Sequence, residues 1–473
     1  MNLLHIIPRF IGGGPEQHLL ALAAAWQKTD IGIHQKIVVL DPPMSAPLLI
    51  KARRLGVEIL IDPDYAGIRD AVVAADVVDI SFWNHPRLYD LLRCELPASR
   101  WVLRSAVAGT TQPQVLTDAL GRFPDQLVLS TAASLSTAAV QEARLRGCPI
   151  ESIPALADMA RLEGFKSRPH GGIRVGYLGQ VEPTKMHPRF ADLCLAVGDP
   201  NVRFEVFGGG SWRGPLQQQF DSAGASDRVC FHGQIEDIRR AFEEMDIFGY
   251  PLAPDTYATS EKTIQEAMWA GIPPVVLAGN GSSSLVDHGR TGLVCQSADH
   301  YPAAIRRLAG DDCLRRRLGD AARDHARDHF DPDRNAARFG GIYRSASESS
   351  PRSPLPLLGR HESGAWRFLE SQGPLGHAFA VSLMDIQDCS AAELAAAEDL
   401  IGQSSAVLAN GEGGIVHYRH AYPDDPHLRL WCGLTSLQAG KTVSAARDFR
   451  SAIELGLPAA RVQNHLARCC DGS

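Results

Sequence analysis

The sequence lacks the features that mark membrane-spanning, secreted or nucleic-acid-binding proteins. No apolar run approaches the roughly 18 residues that a membrane-spanning helix needs. The first eight residues, MNLLHIIP, have neither a basic region nor a long apolar region, so we expect a first β-strand and not a signal peptide. The formal net charge of −7 excludes a general basic footprint for nucleic acid and leaves only a local patch open.

The sequence also lacks the cysteine patterns of zinc sites and disulfide frameworks. Its ten cysteines are scattered, without a CxxC pair or a histidine at zinc-ligand spacing. No acidic DxD cluster stands out at a strand end. We therefore expect reduced thiols, a cytoplasmic protein and no metal site. A soft metal on the vicinal pair Cys469-Cys470 is the less favoured alternative.

The 473 residues are enough for about three domains. The composition, 45% hydrophobic and 21% charged residues, is that of an ordinary globular protein. The first third alternates short Val/Ile/Leu-rich runs with amphipathic segments at 16–28 and 47–55, which is typical of a parallel sheet covered by helices on both faces. The expected strands are 3–7, 36–40, 58–61, 77–82, 101–103 and 126–130.

The alternation restarts after residues 162–172, which lack hydrophobic periodicity and read as a hinge. The expected strands of the second series are 173–178, 202–207, 229–231, 247–250, 274–277 and 293–295. We expect an α/β fold with two doubly wound Rossmann-like domains, 1–165 and 166–345, facing each other across a cleft. In such domains ligands bind at the carboxyl ends of the strands.

The remainder, 346–473, is expected to be a linker and an all-helical extension. Residues 345–360 are dense in Ser and Pro, and Ser390-Ala391-Ala392-Glu393 predicts a capping box. Residues 427–453 predict a helix pair that resembles one tetratricopeptide repeat, with Gly433, Gly440, Ala445, Phe449 and Ala452 at the repeat's offsets. A plain helical hairpin that packs on the rest of the chain is the favoured alternative to peptide binding, and self-association stays open.

Three segments carry candidate chemistry, each at the end of an expected strand. The glycine loop, residues 12–18 (GGGPEQH), could bring backbone N–H groups close to an anion, although it is not a GxGxxG fingerprint. The lysine loop, residues 176–185, ends on Lys185, whose ammonium could neutralise a diphosphate. A tight turn and a surface lysine are the alternatives for these two loops.

The third segment, residues 260–276, combines a short helix with the strand that follows it. A carboxylate in the first turn, Glu266, could accept two ribose hydroxyls while the helix N-terminus receives a phosphate. Taken locally, a capping box between Thr263 and Glu266 is the favoured interpretation. Because all three segments follow parallel strands, they can converge on one cleft, which favours the functional interpretation.

Over about residues 1–345 the sequence resembles the retaining glycosyltransferases of the family 4 type. The resemblance is carried by five motifs in a fixed order: GGGPEQH, GYLGQVEPTK, FEVFGGG, RVCFHGQIED and SEKTIQEAMWAGIPPVV…VDHGRTGLV. The resemblance implies a GT-B fold and metal-independent transfer from a nucleotide sugar, UDP- or GDP-linked, with retention. It implies that Lys185 holds the diphosphate, that Glu266, in a helix start that includes Thr263, holds the ribose, and that residues 232–238 receive the base. Gly13 and Gly14 would border the diphosphate and acceptor, and His85 would lie at the acceptor edge unless it is a capping or loop histidine.

Two departures from that family pattern concern the sugar and the leaving group. Gln180 stands where the family usually has Arg, which removes one cationic contact to the diphosphate. The family's paired glutamates are eight residues apart, but the residue eight before Glu266 is Ala258, so we expect Glu261 to take over the contact to the sugar.

Other functions stay open at this point. The scaffold could serve a nucleotide-sugar epimerase or hydrolase, or an inactive subunit that binds a partner through its C-terminal helices. The acceptor is unidentified, and a lipid-linked acceptor would imply peripheral membrane contact.

Overall fold

The computed structural model describes residues 1–42, 44–168, 170–356, 362–384 and 389–471. Pro169 of the expected hinge and residues 357–360 of the expected linker lie outside the described residues. None of the described helices combines the length and apolar character of a membrane span.

The first domain is built on a parallel sheet with strand order β3-β2-β1-β4-β5-β8-β9. Its interior is formed by strands rich in Val, Ile and Leu, such as β4, whose six residues are all buried, including Asp79 and Ser81. The six expected strands are confirmed. The sequence did not predict β9 or the antiparallel pair β6–β7, because these strands are only two or three residues long. The strands are β1 Asn2–Ile7, β2 His34–Val39, β3 Glu58–Ile61, β4 Val77–Phe82, β5 Trp101–Ser105, β6 Thr110–Thr111, β7 Gln114–Val115, β8 Gln126–Leu129 and β9 Ile150–Ser152.

The second domain contains a six-stranded parallel sheet with strand order β12-β11-β10-β13-β14-β15. All six expected strands are confirmed. The strands are β10 Ile173–Leu178, β11 Val202–Phe207, β12 Val229–Gly233, β13 Ile247–Tyr250, β14 Pro274–Leu277 and β15 Leu293–Cys295. The two doubly wound domains together have the GT-B architecture that the sequence predicts.

Helices cover both sheets and form the C-terminal region. They are α1 Gly14–Thr29, α2 Ala46–Arg54, α3 Tyr65–Val73, α4 Pro86–Leu92, α5 Asp118–Arg122, α6 Ala138–Leu145, α7 Phe190–Leu195, α8 Arg213–Ser222, α9 Ile238–Glu243, α10 Lys262–Ala270, α11 Tyr301–Gly310, α12 Asp312–His329, α13 Pro332–Ser347, α14 Gly364–Gln372, α15 His377–Ser382, α16 Ala391–Gly402, α17 Ala406–Asn410, α18 Ile415–Ala421, α19 Pro426–Gln438, α20 Thr442–Glu454 and α21 Ala459–Asp471.

Helix α13 returns from the second domain to pack on the first. Its Phe339 and Tyr343 are buried in the cluster formed by α1 and the first sheet. The indole Nε1 of Trp26 in α1 donates to the Ala336 carbonyl oxygen at 2.8 Å. The expected boundaries at 165/166 and 345/346 stay predictions.

The C-terminal region, α14–α21, has a hydrophobic core of its own around Phe368, Tyr418 and Trp431. The capping box of Ser390 and Glu393 is confirmed at the start of α16. The expected helix pair is α19–α20, in which Gly433 leaves room for the Phe449 ring: a Cβ at Gly433 would lie 2.5 Å from it. Its assignment as a tetratricopeptide-like unit stays a prediction.

Candidate active site

Two loops meet where the strand order of the second sheet reverses, between β10 and β13. Such switch points open a crevice at the carboxyl ends of the strands. The lysine loop follows β10, and the loop that leads to α10 follows β13. Backbone hydrogen bonds join the two loops, from Ala253 N to Lys185 O at 2.9 Å and from His187 N to Pro251 O at 3.0 Å.

Lys185 and Glu261 form an ion pair in this crevice. The Lys185 ammonium donates to Glu261 Oε1 at 2.8 Å, and the Tyr250 hydroxyl donates to Glu261 Oε2 at 2.9 Å. Both charged side chains are 15% exposed, so the pair is neither sealed in the core nor fully solvated. Burial, together with the Glu261 carboxylate, raises the pKa of Tyr250 well above its usual value, which keeps the hydroxyl a donor. Lys185 retains two further N–H donors for an anion.

Close backbone packing holds the lysine loop against the next strand. Gly208 follows β11 with φ of +137°, and a Cβ there would lie 1.7 Å from the Gly179 carbonyl oxygen. Only glycine fits this contact, which explains the FGGG sequence at 207–210. Gln180, at the family's arginine position, has an exposed side chain, and its carbonyl oxygen accepts the Tyr177 hydroxyl at 2.8 Å.

Glu266 lies buried in α10, and its partner comes from the interdomain segment. Its Oε1 accepts a hydrogen bond from Arg161 Nη2 at 2.6 Å. Burial raises the pKa of Glu266 to about 7, opposed by the positive charges of Arg161 and Lys262. The capping-box interpretation of Thr263 and Glu266 is wrong, because α10 begins at Lys262 with Glu261 as N-cap and because Glu266 pairs with Arg161 instead. Arg161 was missed because only the fold brings it to α10.

Lys262 is a second cation that the sequence analysis missed. It is the first residue of α10, next to Glu261, and burial lowers its pKa to about 7. The carboxylates of Glu266, in the same helix, and of Glu16, in α1 of the first domain, oppose that shift, so the Lys262 ammonium is near both. With Thr263 it also contributes the first N–H groups of a helix, which have no carbonyl partner inside the helix.

The glycine loop lies at the N-terminus of α1. Gly13 is the N-cap and Gly14 is the first helical residue; both are exposed, and a Cβ at Gly14 would meet nothing within 4 Å. The buried Glu16 carboxylate accepts from the Ile11 N–H at 3.2 Å, and burial raises its pKa. A carboxyl group therefore already occupies the end of α1 that would attract an anion.

His85 is placed as the N-cap of α4 and is buried. Its Nδ1 accepts from Arg87 N at 3.2 Å, and its Nε2 is 3.4 Å from Asp41 Oδ2. The imidazole of His417, from α18, packs edge-on against it with ring centroids 4.6 Å apart. The C-terminal region thus covers the residue expected at the acceptor edge.

The expected base-binding segment, 232–238, begins at the end of β12. The His232 ring stacks on Phe207 at 4.1 Å, and its Nε2 is 2.7 Å from Glu205 Oε2. Among the described residues, Glu205, Cys230 and His232 have possible metal-ligand atoms within 4.8 Å of one another. Sequence spacing could not reveal this group, because Glu205 comes from the neighbouring strand.

Comparison with known proteins connects this site to a family. Residues 161–325 match the sequence model described as "Glycosyl transferases group 1". That segment includes Arg161, the lysine loop and α10. The first domain and α14–α21 lie outside the matched residues.

Curated relatives match over a similar part of the chain. A GDP-mannose-dependent alpha-mannosyltransferase of Mycolicibacterium smegmatis is 32% identical over 161 residues, which are 33% of this chain and 39% of the relative. The lipopolysaccharide core biosynthesis mannosyltransferase LpcC of Rhizobium leguminosarum bv. viciae is 29% identical over 132 residues, 28% of this chain and 37% of the relative. The chain thus spans about two fifths of the length of these relatives.

A solved structure extends the likeness in fold to both α/β domains. HepE of Anabaena, in complex with UDP and glucose, aligns with a TM-score of 0.58 and 17% identity, over 73% of this chain and 100% of HepE. At this identity the likeness concerns the fold alone. Residues 161–325 are thus similar in sequence to glycosyl transferases group 1, on a chain whose two α/β domains have the GT-B fold.

Proposed function

We propose that the protein is a glycosyltransferase that moves a sugar from a nucleoside-diphosphate donor to an acceptor hydroxyl, with retention and without a metal ion. The observation that carries the proposal is the arrangement of Lys185, Glu261 and the N-terminus of α10 at one switch point. The Lys185 ammonium and the first N–H groups of α10, which have no carbonyl partner inside the helix, would together favour a leaving diphosphate there.

The diphosphate, the ribose and the sugar of the nucleotide-sugar donor would each contact different residues of this site. Lys185 and Lys262, with the first N–H groups of α10, would bind the diphosphate. Glu266 would accept the ribose hydroxyls, and the neighbouring Arg161 favours its ionised form. Glu261, oriented by Lys185 and Tyr250, would accept hydroxyls of the transferred sugar.

In the proposed reaction, the bond from the anomeric carbon to the phosphate oxygen breaks as the acceptor oxygen bonds to the same face. The acceptor's proton passes to the departing diphosphate, so charges balance. Lys185 and Lys262 stabilise the negative charge that grows on that group, which accounts for catalysis by electrostatics without a metal ion.

The test is turnover of a donor panel with and without acceptor mixtures. GDP-mannose is the first donor to examine because of the mannosyltransferase relatives, and UDP-glucose is the second because HepE was solved with UDP and glucose. Release of GDP or UDP that depends on an acceptor, with an α-linked product from an α-linked donor, supports the proposal. Donor turnover that never needs an acceptor would instead indicate an epimerase or hydrolase, and no turnover with any donor would favour an inactive subunit.

A further inference from the structure

The C-terminal region is anchored to the first domain beside the cleft. Its contacts centre on the buried Asn84, which follows β4 at the switch point of the first sheet. Asn84 Nδ2 donates to Ser371 Oγ at 3.1 Å, and the Tyr418 hydroxyl donates to Asn84 Oδ1 at 2.9 Å. Arg367 and Tyr422 both contact Asp90 in α4. Buried polar contacts of this kind hold the C-terminal region in a fixed position on the first domain.

One turn of this region, residues 411–414, packs directly against the first domain. Gln114 Nε2 donates to the Glu412 carbonyl oxygen at 2.7 Å. Gly413 has φ of +79°, and a Cβ there would lie 2.7 Å from the Asn84 carbonyl oxygen. The backbone of the turn is therefore fixed by Gln114 and by close packing on Asn84, and the Glu412 side chain is not needed to hold it.

The turn places Glu412 beside two charged groups of the first domain. Glu412 Oε1 is 3.5 Å from Arg9 Nη1, and Arg9 Nε is 3.7 Å from Asp41 Oδ2. These side chains are 30% exposed for Arg9, 29% for Asp41 and 23% for Glu412, so each keeps an open side. Within the described part of the chain, Arg9 is the one ion-pair partner of Glu412.

Glu412 also faces the donor residues across the cleft. Burial raises the pKa of Tyr257, in the loop between β13 and α10, well above its usual value, and the nearby carboxylates of Glu412 and Glu261 both add to that rise. Its ring packs edge-on against Trp83 of the first domain with centroids 4.9 Å apart. Tyr257, which packs on Trp83, is therefore near both the donor-side carboxylate of Glu261 and the carboxylate of Glu412 from the C-terminal region.

We propose that Glu412, with Arg9 and Asp41, forms an acceptor subsite that binds the hydroxyls of a neutral carbohydrate or polyol, with Trp83 and Tyr257 as its apolar wall. The proposal rests on the proposed function, because it assigns the acceptor side of the same cleft. Carboxylates accept hydrogen bonds from hydroxyl groups, and aromatic rings cover the apolar faces of sugars. One guanidinium and two carboxylates give a net charge of −1, which disfavours a phosphorylated acceptor.

The C-terminal region also contributes a histidine, His417, next to the proposed subsite. His417 receives the Gly413 N–H on Nδ1 at 2.9 Å, so its Nε2 carries the ring proton. Burial lowers the pKa of His417 to about 3, so it stays neutral and packs on His85 without adding positive charge. His417 and His85 then act as positioning residues behind Asp41 and Glu412.

The test measures binding of small neutral probes to the full chain by saturation-transfer NMR, without requiring turnover. The probes are methyl α-D-mannopyranoside, methyl β-D-glucopyranoside and glycerol, with mannose 6-phosphate as the charged comparison, in the presence and absence of UDP or GDP. We expect at least one neutral probe to bind more tightly than mannose 6-phosphate. Glu412→Ala should weaken that binding by about tenfold or more, Glu412→Gln by less, and Glu454→Ala, on the exposed end of α20, not at all.

The melting temperature of each variant shows whether the fold is retained. Binding of no neutral probe, tighter binding of mannose 6-phosphate, or equal binding by the folded Glu412→Ala variant would each overturn the proposal. Calorimetric binding of UDP or GDP to the same samples is a separate readout. If the wild-type protein binds neither UDP nor GDP, the proposed function is refuted. The saturation-transfer signal of the neutral probes tests the acceptor subsite separately.

Discussion

Glu261 accepts hydrogen bonds on both carboxylate oxygens, from Lys185 and from Tyr250, and this fixes its direction in the crevice. The ammonium of Lys185 gains a fixed position from the same contact. A cation that is already oriented needs little reorganisation when charge develops on a leaving diphosphate. At the scale of single residues, the proposed chemistry therefore depends most on this pair.

Replacing Lys185 by alanine should lower kcat by about a hundredfold or more, because the leaving diphosphate loses an oriented cation. Steady-state rates of nucleotide release from the best donor measure the effect. Lys166→Ala, which changes an exposed lysine of the interdomain segment, is the matched control. An unchanged kcat in the Lys185→Ala protein would remove Lys185 from the site.

Nucleotide affinity should depend on pH through Lys262 and Glu266, whose pKa values are both about 7. Above pH 7 Lys262 is increasingly neutral in the free protein, so binding a diphosphate requires uptake of a proton and affinity falls, by up to about tenfold per pH unit. Below pH 7 Glu266 becomes protonated and its contacts with ribose hydroxyls weaken. Calorimetry between pH 6 and 9 should therefore show an affinity maximum near neutrality.

The variant Lys262→Met separates the two limbs of that profile. It should lower the maximal affinity and flatten the alkaline limb, while the acid limb set by Glu266 remains. An alkaline limb that persists in this variant would show that another group titrates.

At the scale of elements, the turn and helices that surround Asn84 join the C-terminal region to the first domain. Tyr418→Phe removes the hydroxyl that donates to the buried Asn84 Oδ1 and keeps the ring volume. Leaving that acceptor unpaired should lower the free energy of unfolding by about 1–3 kcal/mol. Urea unfolding of the wild-type protein and of the variant measures this, and equal stability of the two proteins would contradict the proposed anchoring.

Elements with continuous aliphatic runs could be predicted from the sequence, and so could the loops that follow them. Lys185 and Glu261 were expected on one cleft because both follow strands of one parallel sheet, and the structure brings them to 2.8 Å. Arg161 and Glu412 could not be predicted in the same way. Their neighbours in sequence carry no periodic pattern, and their partners lie 105 residues away for Arg161 and in the first domain for Glu412.

At the scale of the whole molecule, the cleft is crossed by several direct contacts between the domains. Ser260 Oγ donates to the Ser130 carbonyl oxygen at 2.5 Å, and Thr259 Oγ1 donates to the Ala106 carbonyl oxygen at 3.2 Å. The loop that precedes α10 is thus attached to the strand ends of the first domain. We therefore expect ligand binding at α10 to reduce backbone motion in both domains that line the cleft.

Hydrogen exchange measured by mass spectrometry should show this coupling. We expect a bound nucleoside diphosphate to slow exchange in residues 260–266 and also in residues 12–18 and 130–131 of the first domain. The helix α20, away from the cleft contacts, serves as internal control. Protection confined to the second domain would contradict coupling through the loop.

Calorimetric titration of the full chain with UDP, GDP and ADP tests the central claim most directly, because it requires neither an acceptor nor turnover. The proposed site predicts one-to-one binding of UDP or GDP, and a loss of affinity of about tenfold or more in Glu266→Ala, which removes the group assigned to the ribose. No heat of binding with any of the three nucleotides, or equal affinity in the folded Glu266→Ala protein, would contradict it.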